Sequence, residues 1–497
     1  MTADSTLTPT PSRNARLGTR AIAEPPAGTL VDLQTKMAAL YRGARPDYPD
    51  WLRHVAPAAG CAQPVRLRGR VDRIDTRTGE VTSRLTETMP DGVIYKACGN
   101  RRSTVCPSCA EIYRADAYQL VLAGLKGGKN VPESVAGHPA VFGTLTAPGF
   151  GIVHTQRTVR SGRVIPCRAR RKLELCPHGV PIRCTRRHKD GDPALGQPLC
   201  ADCYDYPHHA VWNLQAGELW RWTTIRARRI LDQHAKQHGD KGRVRLSFGK
   251  VAEYQRRGVV HFHALIRLDG IDPDDPERVI PPPEWATVFV LEHLVRSAVE
   301  TTAFATKPHP ANEAGWPIAW GEQLDIRPLR VRGDKAITDT QVAGYLAKYA
   351  TKSTDATGHV SKRITEHSIR IYADDSHPGR IINVAWHLGD APDYTRLRRW
   401  AHMLGFGGHF FTKSNRYSTT FKALRKVRTD WRRRRHDRPD VQLADQHDED
   451  TILVINTLDY DGMGWHTTGD ALLANTSAAL ARERRRAKND AFQVQVS

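Results

Sequence analysis

Two apolar runs joined by the tripeptide Arg256-Arg257-Gly258 constrain the fold of this chain more than any other feature. Residues 244–255 and 259–267 both have the pattern of strands, and a three-residue loop ending in glycine is a common connection between antiparallel strands. His261 and His263 alternate with apolar residues, so both imidazoles leave the same face of the second strand. The pattern therefore predicts an antiparallel hairpin that carries two histidines side by side.

The predicted hairpin also suggests a third metal ligand. A three-residue loop places Glu253 directly opposite His261, with Cβ atoms about 5 Å apart. A two-residue loop would shift the register by one residue and remove Glu253 from this face, leaving Gln255 as the reserve. Two imidazoles and a carboxylate with open positions suit Mg²⁺ or Mn²⁺ bound to a phosphate. The alternative is a pair of histidines that only make hydrogen bonds inside a sheet.

A second group of reactive side chains follows about eighty residues later. The spacing predicts a helix over residues 339–351, on which Tyr345 and Tyr349 are stacked at i and i+4. Lys348 and Lys352 each lie three residues after a tyrosine. A tyrosine that attacks phosphorus must lose its proton, and a neighbouring lysine can stabilise the phenolate or the leaving oxygen. The alternative is a core helix with two packed tyrosines and solvated lysines.

In this order, the histidine pair and the Tyr/Lys segment resemble the HUH endonucleases, named for His–hydrophobic–His. In particular they resemble the rolling-circle replication initiators of actinobacterial plasmids and integrative elements. Residues 141–148, with sequence VFGTLTAP, look like the first motif of that family, and the resemblance extends over roughly residues 30–430. It is also carried by the stretches 60–69, 98–109, 199–206 and 399–417. The resemblance implies an α+β fold, an HUH nuclease core whose central antiparallel sheet is flanked by helices, with added zinc-binding modules.

The resemblance also implies an activity. The chain would be a site-specific DNA endonuclease (a nickase) and strand transferase that binds the double-strand origin of a plasmid. A tyrosine would form a 5′-phosphotyrosine, leave a free 3′-OH primer and later rejoin the strand, but the order in which the two tyrosines act is open. Thr144 and Thr146, in the first motif, would contact the DNA. An HUH-type transposase or relaxase is the nearest alternative, and a non-catalytic zinc-dependent DNA-binding regulator is an alternative of another class.

The nine cysteines indicate zinc more than disulfides, because two Cys-x-x-Cys pairs occur in a chain without an apolar signal sequence. We therefore expect a cytoplasmic protein with closed, structural Zn²⁺ sites. One set would be Cys61, Cys98, Cys106 and Cys109. The other would be Cys176, Cys184, Cys200 and Cys203, with His178 and His188 as possible substitutes. This grouping leaves Cys167 over.

The formal charge of +21 favours a polyanionic partner, and here it indicates double- and single-stranded origin DNA. Candidate DNA-binding residues are Arg228, Arg229, Lys413 and Arg416, and neighbouring aromatic side chains could stack on bases, namely Phe410, Phe411, Tyr417 and Phe421. The sequence has no Walker-type phosphate loop, so strand separation would need a host helicase, and a host DNA polymerase would extend the primer. No apolar run is long enough to span a membrane, so we expect no membrane partner. The sequence leaves the oligomeric state open.

Composition and patterning divide the chain into five segments. They are a disordered N-terminal tail (1–30), an N-terminal helical and zinc module (31–130), an HUH endonuclease domain (138–355) with a zinc-binding insertion (157–210), a basic DNA-binding region (356–430), and a linker followed by a C-terminal strand and helix (431–497).

Overall fold

The computed structural model describes residues 32–329, 343–344, 346–347, 363–436 and 452–496. The helices are α1 (Leu33–Gly43), α2 (Tyr48–Val55), α3 (Pro107–Lys126), α4 (Tyr206–Gln237), α5 (Val288–Thr301), α6 (Ile369–Tyr372), α7 (His377–Leu388), α8 (Thr395–Arg399), α9 (Phe421–His436) and α10 (Thr468–Val496). The strands are β1 (Val65–Asp75), β2 (Val81–Leu85), β3 (Ile94–Lys96), β4 (Ala140–Leu145), β5 (Arg157–Thr158), β6 (Val164–Ile165), β7 (Val244–Tyr254), β8 (Val260–Ile271), β9 (Val279–Ile280), β10 (Ala303–Ala305), β11 (Pro317–Ala319), β12 (Leu324–Pro328), β13 (Phe411–Lys413) and β14 (Ile452–Met463). The fold is α+β with antiparallel sheets.

The chain divides into two compact units. The first comprises residues 1–99, 106–109 and 445–497, and the second comprises residues 100–105 and 110–444. Described residues from both the N-terminal and the C-terminal parts of the chain therefore belong to the first unit. The reason is a long-range pairing, because β14 lies antiparallel to β1 from Val65↔Met463 to Asp75↔Ile452.

In the first unit, β1 is the central strand and pairs with β14, β2 and β3. A small apolar cluster, which includes Trp51, Val55, Tyr95 and Ala474, joins residues from the N-terminal and C-terminal parts of the chain. The Trp51 indole N–H donates to the Asp91 carboxylate at 2.7 Å, so the one polar atom of this buried ring is satisfied.

The second unit is built on a six-stranded antiparallel sheet. Five of its strands have the order β12-β4-β8-β7-β13, and the sixth, β9, pairs with β8. β8 is buried along nearly its whole length, which explains why its sequence is apolar on both faces. One face packs into a large core through Phe262, Ala264 and Ile266, together with residues of α4, α5 and α7. The other face carries His261, His263 and Leu265, and a smaller cluster with residues of α3 covers Leu265.

The helix α4 is the longest element of the sheet unit. It begins after Asp205, whose carboxylate accepts from the backbone N–H of His208, and Pro207 occupies the first turn, where a missing N–H costs nothing. Asn213 on this helix donates to the carbonyl of Gly258 at 3.0 Å and accepts from the backbone N–H of Val260 at 3.0 Å. The helix therefore holds the turn of the β7–β8 hairpin through the Asn213 side chain.

Candidate metal centre

The β7–β8 hairpin has the register that the three-residue loop predicts. Glu253 is paired with His261, and Val251 with His263. Gly258 has φ of +80°, the left-handed conformation that this loop type needs at its last residue. Glu253, His261 and His263 therefore lie on one face, at the end of the two central strands.

The three side chains form a compact cluster of ligand atoms. Glu253 Oε2 lies 3.1 Å from His261 Nε2 and 3.3 Å from His263 Nε2. His261 keeps 16% of its side-chain area exposed, whereas His263 keeps only 3%. Two imidazole nitrogens and one carboxylate oxygen converge on one point that is open to solvent on the His261 side. This donor set can hold Mg²⁺ or Mn²⁺ and leave positions for phosphate oxygens.

The neighbouring strand β4 orients His263. Thr144 is paired with His263, and its Oγ1 lies 3.1 Å from Nδ1 of that ring. The Phe142 ring stacks on the His263 imidazole at 5.8 Å between centroids. When Nε2 is a metal ligand, Nδ1 carries the proton and donates to Thr144, which fixes both the tautomer and the ring plane. Sequence reasoning missed this contact, because it depends on the pairing of strands far apart in the chain.

The hairpin turn is tied to the loop that follows β4. Arg257 donates to the carbonyls of Pro148 at 2.9 Å and Ala147 at 3.2 Å, and to Gln255 Oε1 at 2.9 Å. Burial lowers the pKa of Arg257 from its ordinary value. The Gln255 amide nitrogen lies 3.3 Å from Nδ1 of His261, the nitrogen turned away from Glu253, so Gln255 lies beside the ligand set and is not a member of it.

A cavity of about 1530 Å³ opens beside this cluster. Glu253 and His261 line it, together with the loop after β4 (147–149) and the hairpin turn (255–257). His154 and, from the cysteine-rich insertion, Asp192 also line it. The wall of the cavity therefore brings Glu253 and His261 next to the cysteine-rich insertion.

The predicted Tyr345, Lys348, Tyr349 and Lys352 lie outside the described residues. Their described neighbours Ala343, Leu346 and Ala347 are buried, with 0%, 0% and 2% of their areas exposed. All three belong to the hydrophobic cluster that includes Val251 and Leu265. These two residues share the sheet face of Glu253, His261 and His263. Ala343, Leu346 and Ala347 therefore belong to a hydrophobic cluster on the face that carries Glu253, His261 and His263.

The first predicted cysteine set comes together. Cys61, Cys98, Cys106 and Cys109 have all four sulfurs within 4.8 Å of one another. The Sγ–Sγ separations from Cys61 to Cys106 and to Cys109 are both 3.8 Å. In a tetrahedral site with Zn–S bonds of about 2.3 Å, neighbouring sulfurs are about 3.8 Å apart. This geometry suits a closed, structural zinc.

The second predicted set is regrouped. Cys176, Cys200 and Cys203 lie together, but the fourth position belongs to His178, whose Nδ1 is 3.2 Å from Cys203 Sγ. The predicted substitution by His178 is thus the arrangement found. Cys184 is not part of this group. It lies beside Cys167, because an isolated antiparallel bridge pairs Cys184 with Arg168.

The predicted DNA contacts are spread over the sheet unit. Arg228 and Arg229 are exposed on α4. Arg416 forms an ion pair with Glu277, and Lys413 donates to the carbonyls of Ser414 and Asn415 at 3.3 Å. Burial also lowers the pKa of Lys413. Their contact with DNA stays a prediction.

Two further predictions, a DNA contact by Thr146 and base stacking by aromatic rings, concern side chains that are mostly buried. Thr146 is buried, and its hydroxyl donates to the Gln323 carbonyl at 2.6 Å, so it already has a partner within the protein. Phe421 is only partly buried, and its stacking on bases stays a prediction. Phe410, Phe411 and Tyr417 are at most 9% exposed and pack in the two cores, so these three rings are not available to stack on bases. Their spacing reflects core packing.

Comparison with known proteins identifies the family of this chain. The family model RepSA, described as "Replication initiator protein, pSAM2", matches residues 47–479. This chain belongs to the RepSA family of replication initiators. A "Replication initiator protein" from Streptomyces ambofaciens is 38% identical over 477 residues, covering 94% of this chain and 98% of the relative. The RepSA match includes the Glu253, His261 and His263 cluster and all nine cysteines.

No solved structure matches the chain. Among the helices of the described residues, none is both long enough and apolar enough to cross a membrane.

Proposed function

We propose that this RepSA protein initiates rolling-circle replication of a plasmid as an HUH nickase. It would bind the double-strand origin, cut one strand by tyrosine attack and rejoin that strand at termination. The observation that carries the proposal is the convergence of Glu253 Oε2 on two imidazole nitrogens at 3.1 and 3.3 Å, at the edge of a cavity of about 1530 Å³. Family membership supports the replication role.

Glu253, His261 and His263 would hold Mg²⁺ or Mn²⁺. When bound, the ion would draw charge from a non-bridging oxygen of the scissile phosphate and make phosphorus more electrophilic. With a metal on Nε2, Thr144 would accept from Nδ1–H of His263, 3.1 Å away, and would hold the ring in that tautomer. The limited exposure of His263 excludes water from that side of the site.

The nucleophile would be Tyr345 or Tyr349. The phenol oxygen forms a bond to phosphorus while the bond from phosphorus to the 3′ oxygen breaks, and the phenol proton ends on the released 3′-OH. Attack of a 3′-OH on the phosphotyrosine reverses these steps and rejoins the strand. Support comes from the burial of Leu346 and Ala347 in the cluster that contains Leu265, two residues along β8 from His263. Lys348 and Lys352 would stabilise the developing charges.

The remaining assignments follow from the same proposal. Zn²⁺ in the two cysteine clusters would be structural, because these sites offer four protein ligands and no open position. Arg228, Arg229, Lys413 and Arg416 would contact origin DNA phosphates. A host helicase would open the duplex, and a host DNA polymerase would extend the 3′-OH.

A nicking assay on a supercoiled plasmid that carries the protein's own origin tests the proposal. We expect Mg²⁺ or Mn²⁺ to give open circles with protein attached to the 5′ end, and EDTA to prevent this. His263→Ala should lose nicking, whereas His293→Ala, at an exposed position on α5, should retain it. Wild-type protein that binds the plasmid but never cuts it would instead indicate a non-catalytic regulator.

A further inference from the structure

A third group of candidate metal ligands lies in the cysteine-rich insertion and just before it. It consists of His154, Cys167, Cys184 and His188, whose donor atoms all lie within 4.8 Å of one another. His154 Nδ1 is 3.1 Å from His188 Nε2, which in turn is 3.4 Å from Cys184 Sγ. A tetrahedral zinc with bonds of about 2.0 Å to nitrogen and 2.3 Å to sulfur would place its ligands about 3.3–3.8 Å apart. The observed spacing is close to that of a Cys₂His₂ site.

The surroundings of these ligands suit a metal. His188 is 1% exposed, and its Nδ1 lies 2.7 Å from Asp192 Oδ2. Donation of Nδ1–H to this carboxylate leaves the lone pair of Nε2 pointing at Cys184 and His154, as in zinc sites where a carboxylate orients the histidine. The backbone N–H of Thr155 donates to Cys167 Sγ at 3.2 Å, which stabilises a thiolate. Two thiolates would neutralise one Zn²⁺.

The backbone holds the ligands in place from three separate segments. Cys184 and Arg168 exchange backbone hydrogen bonds of 3.0 and 2.8 Å, which sets Cys167 next to Cys184. His154 is fixed by bonds of 2.8 Å to the carbonyl of Gln197 and 2.9 Å from the N–H of Gly196. The insertion has only the short strands β5 and β6, so it has little sheet or helix to hold these segments together.

We propose that His154, Cys167, Cys184 and His188 bind a third, structural Zn²⁺ that fixes one wall of the cavity beside the metal cluster. His154 and Asp192 line the same cavity as Glu253 and His261. The three clusters together use all nine cysteines of the chain, including Cys167, which the sequence grouping left over. These four ligands take no part in the proposed nicking reaction.

Native mass spectrometry of the full chain, purified with zinc and then freed of excess metal, tests the proposal. We expect three zinc ions per chain in the wild type and two in Cys167→Ala and His188→Ala. The matched control His387→Ala removes an exposed histidine and should keep three. Two ions in the wild type, or three in both ligand variants, would overturn the proposal. This count does not depend on whether the protein nicks DNA.

X-ray absorption at the zinc edge gives a second readout on the unaltered protein, in case the variants do not fold. Three sites predict an average of about three sulfur and one nitrogen ligand per zinc, from nine cysteines and three histidines. An average of about 3.5 sulfurs and 0.5 nitrogens, together with two ions per chain, would mean that only the other two clusters are filled.

Discussion

Replacing Thr144 by valine should weaken metal binding without removing any metal ligand. Valine keeps the shape of threonine but cannot accept from Nδ1–H of His263, which lies 3.1 Å from the Thr144 hydroxyl. Since His263 is only 3% exposed, water cannot replace the lost partner. An unsatisfied buried donor costs about 1–3 kcal/mol. Loss of the residue that orients a metal-bound histidine typically lowers metal affinity about 10–100-fold, which agrees with that range.

The assay is a Mn²⁺ titration of each variant, with free Mn²⁺ followed by electron paramagnetic resonance. We expect the Kd of Thr144→Val to rise about 10–100-fold and nicking to recover at high Mn²⁺. Thr146→Val is the matched control, because the Thr146 hydroxyl donates to the Gln323 carbonyl and touches no ligand. That control should lose some stability and keep its Mn²⁺ affinity. Wild-type affinity in Thr144→Val, or an equal loss in both variants, would refute the reasoning.

Three further predictions address the site and the sheet that supports it. His261→Ala should abolish cleavage while origin affinity, measured by fluorescence anisotropy, stays within about twofold, because affinity comes mainly from basic contacts; a parallel loss of binding would mean a structural role. Tyr→Phe at one of Tyr345 and Tyr349 should remove initial nicking and at the other impair only rejoining, with Tyr349 favoured for initiation because lysines flank it; adduct formation at wild-type rate in both variants would exclude both. Burial against the Phe262 ring lowers the pKa of Lys250 to about 7, so in chemical denaturation Lys250→Met should raise stability more at pH 6 than at pH 9. Below the pKa of Lys250 in the folded protein, the side chain is charged and the full cost of burying that charge is present. By pH 9 this cost is smaller by about 3 kcal/mol, because Lys250 is then neutral in the folded protein. A gain in stability that does not change with pH would contradict this account.

Local sequence patterns predicted the parts of the site that depend on residues close together in the chain. Alternation, loop length and a terminal glycine gave the β7–β8 hairpin and the pairing of Glu253 with His261, because register follows from turn geometry. The long helices α3 and α4 also follow from periodicity and from their end signals, such as Gly127 after α3.

Contacts between distant segments could not be read from the sequence. The position of β4 beside β8, which brings Thr144 to His263, depends on sheet order, and no local pattern encodes it. The same holds for β14 beside β1. The cysteine grouping failed at Cys184 for a related reason: ligands in loops have no periodicity, and both Cys167 and Cys200 were compatible with its spacing.

The central claim is that a tyrosine near the His261–His263 pair becomes covalently linked to DNA. The most direct measurement is tryptic mass spectrometry of protein incubated with a single-stranded origin oligonucleotide and Mn²⁺. Cleavage after Lys348 places Tyr345 and Tyr349 on different peptides, so the modified tyrosine is identified by peptide mass. We predict a nucleotide-modified peptide containing one of these tyrosines, absent in His263→Ala. An adduct on another residue, or cleavage without any adduct, would contradict the account.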